Sequence, residues 1–175
     1  MIRGHVILSH GFESGPEATK VTALAQVAQA AGWSHERPDY TDLDAMTGVG
    51  QLGDVGARLM RLRTLAEAAV KKAPLVLVGS SLGAYIAAQV SLQVPVHGLF
   101  LMAPPTAIGP LPALDAAQVP VSIVHGWDDA LIPARNVVDW AQARRARLLL
   151  VDDDHHLARH VDAAAQAFAQ LLAGL

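Results

Sequence analysis

Residues 79–83 read Gly-Ser-Ser-Leu-Gly, a G-x-S-x-G spacing that sets the hydroxyl of Ser81 midway between two glycines. A serine on a sharp turn from strand to helix sits in a strained backbone conformation, so its neighbours two positions away must lack side chains for the turn to close. Such a turn lifts the hydroxyl above the sheet. It also puts the next backbone N–H, that of Leu82, at a helix N-terminus, where it stabilises a developing oxyanion. The flanks have the required pattern: Leu75 to Gly79 is a Val/Leu run of buried-strand type, and Leu82 to Leu92 is Ala-rich and helix-forming. Ser81 is therefore the candidate nucleophile, and acyl transfer the candidate chemistry.

A serine nucleophile needs a base to take its proton and a carboxylate to orient that base. On a strand-turn-helix scaffold of this kind they follow in the chain order Ser, acid, His. Downstream stand His125-Gly126-Trp127-Asp128-Asp129, after an apolar run at 120–125, and Asp152-Asp153-Asp154-His155-His156-Leu157, after another at 147–151. Both groups fall just past the C-terminal ends of strands, the edge where open α/β sheets bind ligands. Asp128 or Asp129 can be the acid, and His155 or His156 the base. Adjacent residues in a turn rarely point at one ion, and no second ligand cluster occurs, so no metal is expected. Acyl transfer needs no cofactor.

The elements that must position these residues are short Val/Leu/Ile-rich runs alternating with helical patterns, the signature of a parallel sheet covered on both faces. Strands are expected near 3–9, 34–38, 75–79, 97–102, 120–125 and 147–151. A first helix should start after Ser14-Gly15-Pro16-Glu17, where Ser14 and Glu17 have capping-box spacing, and stop at Gly32. A second, about 51–72, carries a core stripe at Leu52, Val55, Leu59, Leu62, Ala66 and Ala69, which puts Arg58, Arg61, Arg63, Lys71 and Lys72 on a solvated face. The last, about 157–173, closes the fold. Pro104, Pro105, Pro110 and Pro112 keep Ala103 to Pro120 from forming regular helix. Asp152 to Asp154 reads as a solvated turn.

A chain of 175 residues is expected to form one domain, 1–175. Thirteen Lys and Arg against sixteen Asp and Glu give a net charge of −3, and the cations are scattered, so nucleic acid is not an expected partner. The absence of cysteine excludes disulfides and fits a reducing compartment. No 18-residue apolar run and no signal-type leader is seen, so a soluble cytoplasmic protein without membrane partners is expected. Nothing in the chain reports oligomeric state.

Taken together, the motifs resemble the α/β-hydrolase family, in particular its compact, lidless esterase-like members with an HGF-x-S-x-P-x-x-x-K start and a GSSLG serine turn. These stand here as His10 to Lys20 and Gly79 to Gly83, and the similarity runs from Ile2 to Leu172. The resemblance implies a doubly wound six-stranded parallel sheet in the order 2-1-3-4-5-6. The first strand matches the family's third, and no lid-sized insertion follows the strand near 97–102. It implies Asp129 as the acid, from the pattern H-G-x-x-D-x-x-V/I-P, and His155 as the base, from D-H-x-L.

The same resemblance implies Phe12 as the second oxyanion N–H donor besides Leu82, with His10 supporting that loop. Lys20 and Glu13 match the pattern without a physical role. Trp127, Met102 and Leu131, with Phe12 and Leu82, are candidates for lining an apolar acyl pocket. The expected activity is cleavage of a small-molecule ester or thioester of short acyl chain, without cofactor. The alternative is a non-catalytic binding protein on the same scaffold.

Overall fold

The computed structural model describes residues 2–175, Val49 by its backbone alone. Six strands, β1 (His5–Ser9), β2 (Ser34–Glu36), β3 (Leu75–Ser80), β4 (Gly98–Met102), β5 (Val121–Gly126) and β6 (Arg147–Val151), form one sheet in the order β2-β1-β3-β4-β5-β6. Every pairing is parallel. Order and strand count are as expected, with each boundary within two residues.

Strand alternation divides the core. Ile7, Leu75, Leu77, Leu99, Leu101 and Ile123 face one side, where α3 (Val55–Ala69), α4 (Leu82–Ser91) and α5 (Ala134–Arg144) pack. Val6, Leu8, Val76, Val78, Phe100 and Val124 face the other, against α1 (Thr19–Ala30) and α6 (Val161–Ala173). Because β3 and β4 are covered on both faces, they are buried at every residue, and this is why they read as unbroken apolar runs.

Helix starts depart from expectation. Ser14 and Glu17 form no capping box: Gly15 to Ala18 is a separate turn closed by Ala18 N–H to Gly15 O (3.1 Å), and α1 begins at Thr19 with no side-chain cap. The helix expected over 51–72 starts only at Val55. Gly53 has φ +67°, which ends the preceding 3₁₀ turn (Val49–Gln51), and the Asp54 carboxylate caps the new helix by accepting from Ala57 N–H at 2.8 Å. The sequence reading missed the short helix α2 (Thr41–Asp44) altogether. The final helix starts at Val161, behind a 3₁₀ turn (Ala158–His160) entered through Leu157 at φ +55°.

The segment 103–120 has no helix or strand, as its prolines require. Side chains pin it instead: Tyr85 Oη donates to Pro112 O (2.8 Å), Gln89 to Ala113 O (3.0 Å) and Trp140 Nε1 to Leu114 O (2.8 Å). None of the helices among the described residues is long and apolar enough to cross a membrane.

Candidate active site

Ser81 sits at the β3–α4 turn with φ +53° and ψ −119°, a conformation rare for a residue with a side chain. The two flanking glycines are required by contact. A Cβ on Gly79 would lie 2.2 Å from Gly83 O, and one on Gly83 would lie 2.4 Å from Ser9 O. The turn is tied to the next strand by Ser81 N–H to Met102 O (2.8 Å).

The loops after β5 and β6 bring the downstream groups to the serine. Ser81 Oγ is 2.8 Å from His155 Nε2, and His155 Nδ1 is 2.7 Å from Asp129 Oδ2. An ionised carboxylate only accepts, so Nδ1 carries the ring proton and Nε2 is left to accept from the serine hydroxyl. Asp129 is buried, and its Oδ1 accepts from Leu131 N–H (2.9 Å) and Ile132 N–H (2.8 Å), which fixes the carboxylate plane. The alternatives do not reach: Asp128 is exposed, and the His156 ring is 80% exposed and turned to Asp154.

The two loops are stitched together by Trp127 N–H to Val151 O (2.9 Å) and Asp128 N–H to Asp153 O (3.0 Å). A Cβ on Gly126 would meet Asp153 O at 2.2 Å, so only glycine permits this approach. Asp153, expected in a solvated turn, is 2% exposed. Its carboxylate accepts from Asp154 N–H, Arg159 N–H and the His160 ring at 2.9, 2.9 and 3.0 Å. Burial alone would raise the Asp153 carboxyl, but the His160 bond, the two backbone N–H bonds and the Arg159 charge bring it down to about 2. Lys20 donates to the His156 carbonyl and so ties α1 to the same loop. Burial lowers its ammonium from the ordinary value, against the charges of Asp153 and Asp154.

On the other side of Ser81, residues 10–13 run along the turn, and a Cβ on Gly11 would lie 3.5 Å from Ser81 Cβ. Arg58, expected on a solvated face, is fully buried beneath this loop in a two-pronged pair with Asp44, both contacts 2.7 Å. Its helical position i+3 from Val55 and i−4 from Leu62, both core residues, is the signal that could have placed it inside. The N–H groups of Phe12 and Leu82 have no acceptor among the described residues.

A cavity of about 360 Å³ opens at Ser81 and His155, lined also by Phe12, Lys20, Val21 and Val161. Trp127, Met102, Leu131 and Leu82 do not line it, which corrects the expectation for the pocket; Leu82 is buried as the first residue of α4. Met102 is sealed in the core as the last residue of β4, whereas Trp127 and Leu131 point outward at 59% and 68% exposure. Apolar type alone does not tell a pocket wall from core or surface. Beyond the loops that carry Phe12, Ser81 and His155, the wall comes from the first turn of α1 and from the start of α6.

Among solved structures, an alpha/beta superfamily protein from Xanthomonas campestris pv. campestris is 69% identical to this chain, covering 99% of it and 100% of its own length, with a TM-score of 0.97. A serine hydrolase without lid from Xanthomonas campestris aligns at 19% identity over 99% of this chain and 83% of its own, TM-score 0.74. Est1E from Butyrivibrio proteoclasticus with ferulic acid bound aligns at 18% identity over 99% and 89%, TM-score 0.76. At these last two identities the likeness is one of fold. No protein-family model and no curated protein matches the chain.

Proposed function

The chain belongs to the α/β-hydrolase superfamily, and on that premise we propose that it is a serine hydrolase that cleaves short-chain carboxylic esters or thioesters through an acyl-enzyme. The observation that carries this reading is the hydrogen-bonded run from Ser81 Oγ through His155 to Asp129, at 2.8 and 2.7 Å. Ser81 Oγ attacks the carbonyl carbon while His155 Nε2 takes the hydroxyl proton. The tetrahedral oxyanion is held by the N–H groups of Phe12 and Leu82. As the intermediate collapses, the bond to the leaving oxygen or sulfur breaks and His155 returns its proton to that atom. Water then enters, His155 takes one of its protons, and the acid leaves as Ser81 recovers its own. Asp129 keeps the ring in the required tautomer and stabilises the imidazolium.

The preference for short chains is supported by the cavity's size and by the absence of regular structure over 103–120, where a lid would add apolar cover. Each methylene contributes about 0.8 kcal/mol only while it is buried. Activity toward p-nitrophenyl esters should rise over the first few carbons and then level; a steady increase to C12 or beyond would contradict the short-chain reading.

A fluorophosphonate probe followed by peptide mapping tests the core of the proposal. It should modify Ser81, and Ser81→Ala should lose both labelling and ester hydrolysis by several orders of magnitude, about 10⁴-fold or more. His155→Ala should match that loss, whereas His156→Ala should keep most activity. Labelling at Ser80 or Ser14, or none at all in the wild-type protein, would favour a scaffold without this chemistry.

A further inference from the structure

We propose that Arg58 is a positioning residue for the oxyanion site: by anchoring the Gly11 carbonyl it sets the direction of the Phe12 N–H. The inference rests on the serine-hydrolase reading above and extends it to a residue on a different element, far from Ser81 in sequence.

The segment 10–13 is held from one side by a single ion pair. Arg58 Nη1 donates to His10 O (3.0 Å) and Nη2 to Gly11 O (3.1 Å), and Asp44 Oδ2 accepts from Glu13 N–H (3.2 Å). The same guanidinium donates from Nε to Asp44 Oδ1 and from Nη2 to Asp44 Oδ2, both at 2.7 Å, and lies 4.5 Å from the centre of the Tyr40 ring. Arg58 and Asp44 are 0% and 6% exposed at their side chains, so neither is free to turn to water. A planar fork with five donors can meet two carbonyls and a carboxylate at once; an ammonium cannot hold that geometry.

His10 completes the anchor. Its Nε2 accepts from Tyr40 N–H (2.9 Å), which leaves the proton on Nδ1, and Nδ1 donates to Gly11 O at 2.8 Å. Gly11 O therefore takes two hydrogen bonds. Gly11 C=O and Phe12 N–H belong to one peptide unit, which is planar and trans, so fixing the oxygen on the Arg58 side directs the hydrogen the opposite way. Gly11, Phe12 and Ser81 line the cavity and Arg58 does not, which is what a Phe12 N–H turned away from Arg58 and toward Ser81 requires. Of the N–H groups in this stretch, Glu13 is held by Asp44 Oδ2, whereas Gly11 and Phe12 find no acceptor among the described residues.

Removing a fixed donor of this kind lowers kcat, because the donor matters when charge develops and little before. The wild-type protein and Arg58→Lys are compared with p-nitrophenyl acetate and with an alkylboronic acid, whose adduct on a serine is tetrahedral and anionic. In Arg58→Lys, kcat should fall about 10- to 100-fold with KM held within about 3-fold, and boronate affinity should fall in step with kcat. In ¹H–¹⁵N spectra of the wild type, boronate should move the Phe12 and Leu82 amide protons downfield; in the variant the Phe12 response should collapse and the Leu82 response persist.

A purely structural role would weaken both responses together, and that result, or unchanged kcat and boronate affinity in folded Arg58→Lys, overturns the inference. If Arg58→Lys does not fold, Asp44→Asn, which removes the charge that fixes the guanidinium and so loosens its contacts to both carbonyls, is held to the same criteria. A wild-type protein that neither hydrolyses the ester nor binds boronate at Ser81 overturns the hydrolase reading and this inference with it. An active wild type whose Phe12 amide is silent overturns this inference alone.

Discussion

The two loops that meet at Ser81 are held by opposite means. Residues 10–13 rest on a buried Arg58–Asp44 pair that reaches up from α3 and α2, whereas residues 152–157 are held by Asp153, a lone carboxylate that gathers N–H groups from its own loop and the turn after it. The first device is long-range in sequence and takes two charges out of water together. The second is local and close to the surface, with the His160 and Arg159 side chains partly exposed. Burying a matched pair is costly to assemble, and breaking it strands one charge. A carboxylate that caps local N–H groups is cheaper to build and loses less when removed.

Truncation should expose that difference most strongly. Arg58→Ala leaves Asp44 buried without its partner, strips His10 O of its guanidinium donor and leaves Gly11 O with the His10 ring alone, and should destabilise the fold by about 3–5 kcal/mol, or about 10 °C or more in Tm. Asp153→Ala removes one acceptor from three donors that water can partly reach and should destabilise it by about 1–3 kcal/mol. Urea or thermal unfolding of both variants measures the gap; equal losses would mean that the pair is no more costly to break than the cap.

The same contrast accounts for what could be read in the sequence. The strands, the serine turn and the candidate pairs Asp128 or Asp129 and His155 or His156 follow from local signals, namely an apolar run, a glycine at a fixed offset and a charged residue just past a strand end, whereas the strand order and the choice of Asp129 and His155 follow only from the resemblance to the α/β-hydrolase family. Arg58 is half legible: its spacing from Val55 and Leu62 puts it on the core face, but its partner Asp44 stands on a four-residue helix that no periodicity announces, so the sequence shows no charge to receive it there. Asp153 was hidden differently. Three consecutive aspartates read as a solvated turn, and only the coil of the chain from 153 to 160 turns the middle one inward. The pocket was only partly legible: Phe12 lines it as expected, but the rest of its wall away from Ser81 and His155 comes from the approach to α1, from α1 itself and from the start of α6, remote in sequence from the serine turn.

Acid should act on the two sides at different pH. His10 is held below its ordinary value by burial, opposed by its bond to Gly11 O and reinforced by the Arg58 charge, so it stays neutral where the unfolded chain already binds a proton. Stability that depends on neutral His10 is complete above the unfolded value of about 6.5 and drains away as pH falls from there through the folded value. Asp153, brought down to about 2, contributes stability present above the unfolded carboxyl value of about 3.9 and lost as pH falls toward 2. Stability should therefore drop between pH 7.5 and 5.5, and His10→Gln should flatten part of that slope, the buried His125 and the burial-shifted His35 carrying the remainder. Asp153→Asn should leave that slope intact and flatten the one below pH 4. Exchange of these two effects would reverse the assignment of the clamps.

The smallest effect should come from a pair that copies the first clamp without its burial. Arg61, three residues after Arg58 on α3, makes its own two-pronged contact with Asp42 on α2 at 2.7 and 2.8 Å, and donates to Asp39 O at 2.6 Å. Geometry alone would rank it beside Arg58 and Asp44. Asp42, however, is 63% exposed and Arg61 35%, so water and salt compete for both charges. The Arg61 bond, opposed by burial and helped by the Arg61 charge, brings the Asp42 carboxyl down to about 2, so whatever it contributes is present above pH 4 and is lost only toward pH 2. Arg61→Ala should shift Tm by less than about 3 °C at neutral pH, and the shift should shrink as salt is raised from 0.05 to about 0.5 M. Arg58→Ala should be nearly indifferent to the same salt, since counterions cannot reach a buried fork. A large, salt-insensitive loss in Arg61→Ala would mean that contact geometry, and not burial, sets the strength of these two clamps.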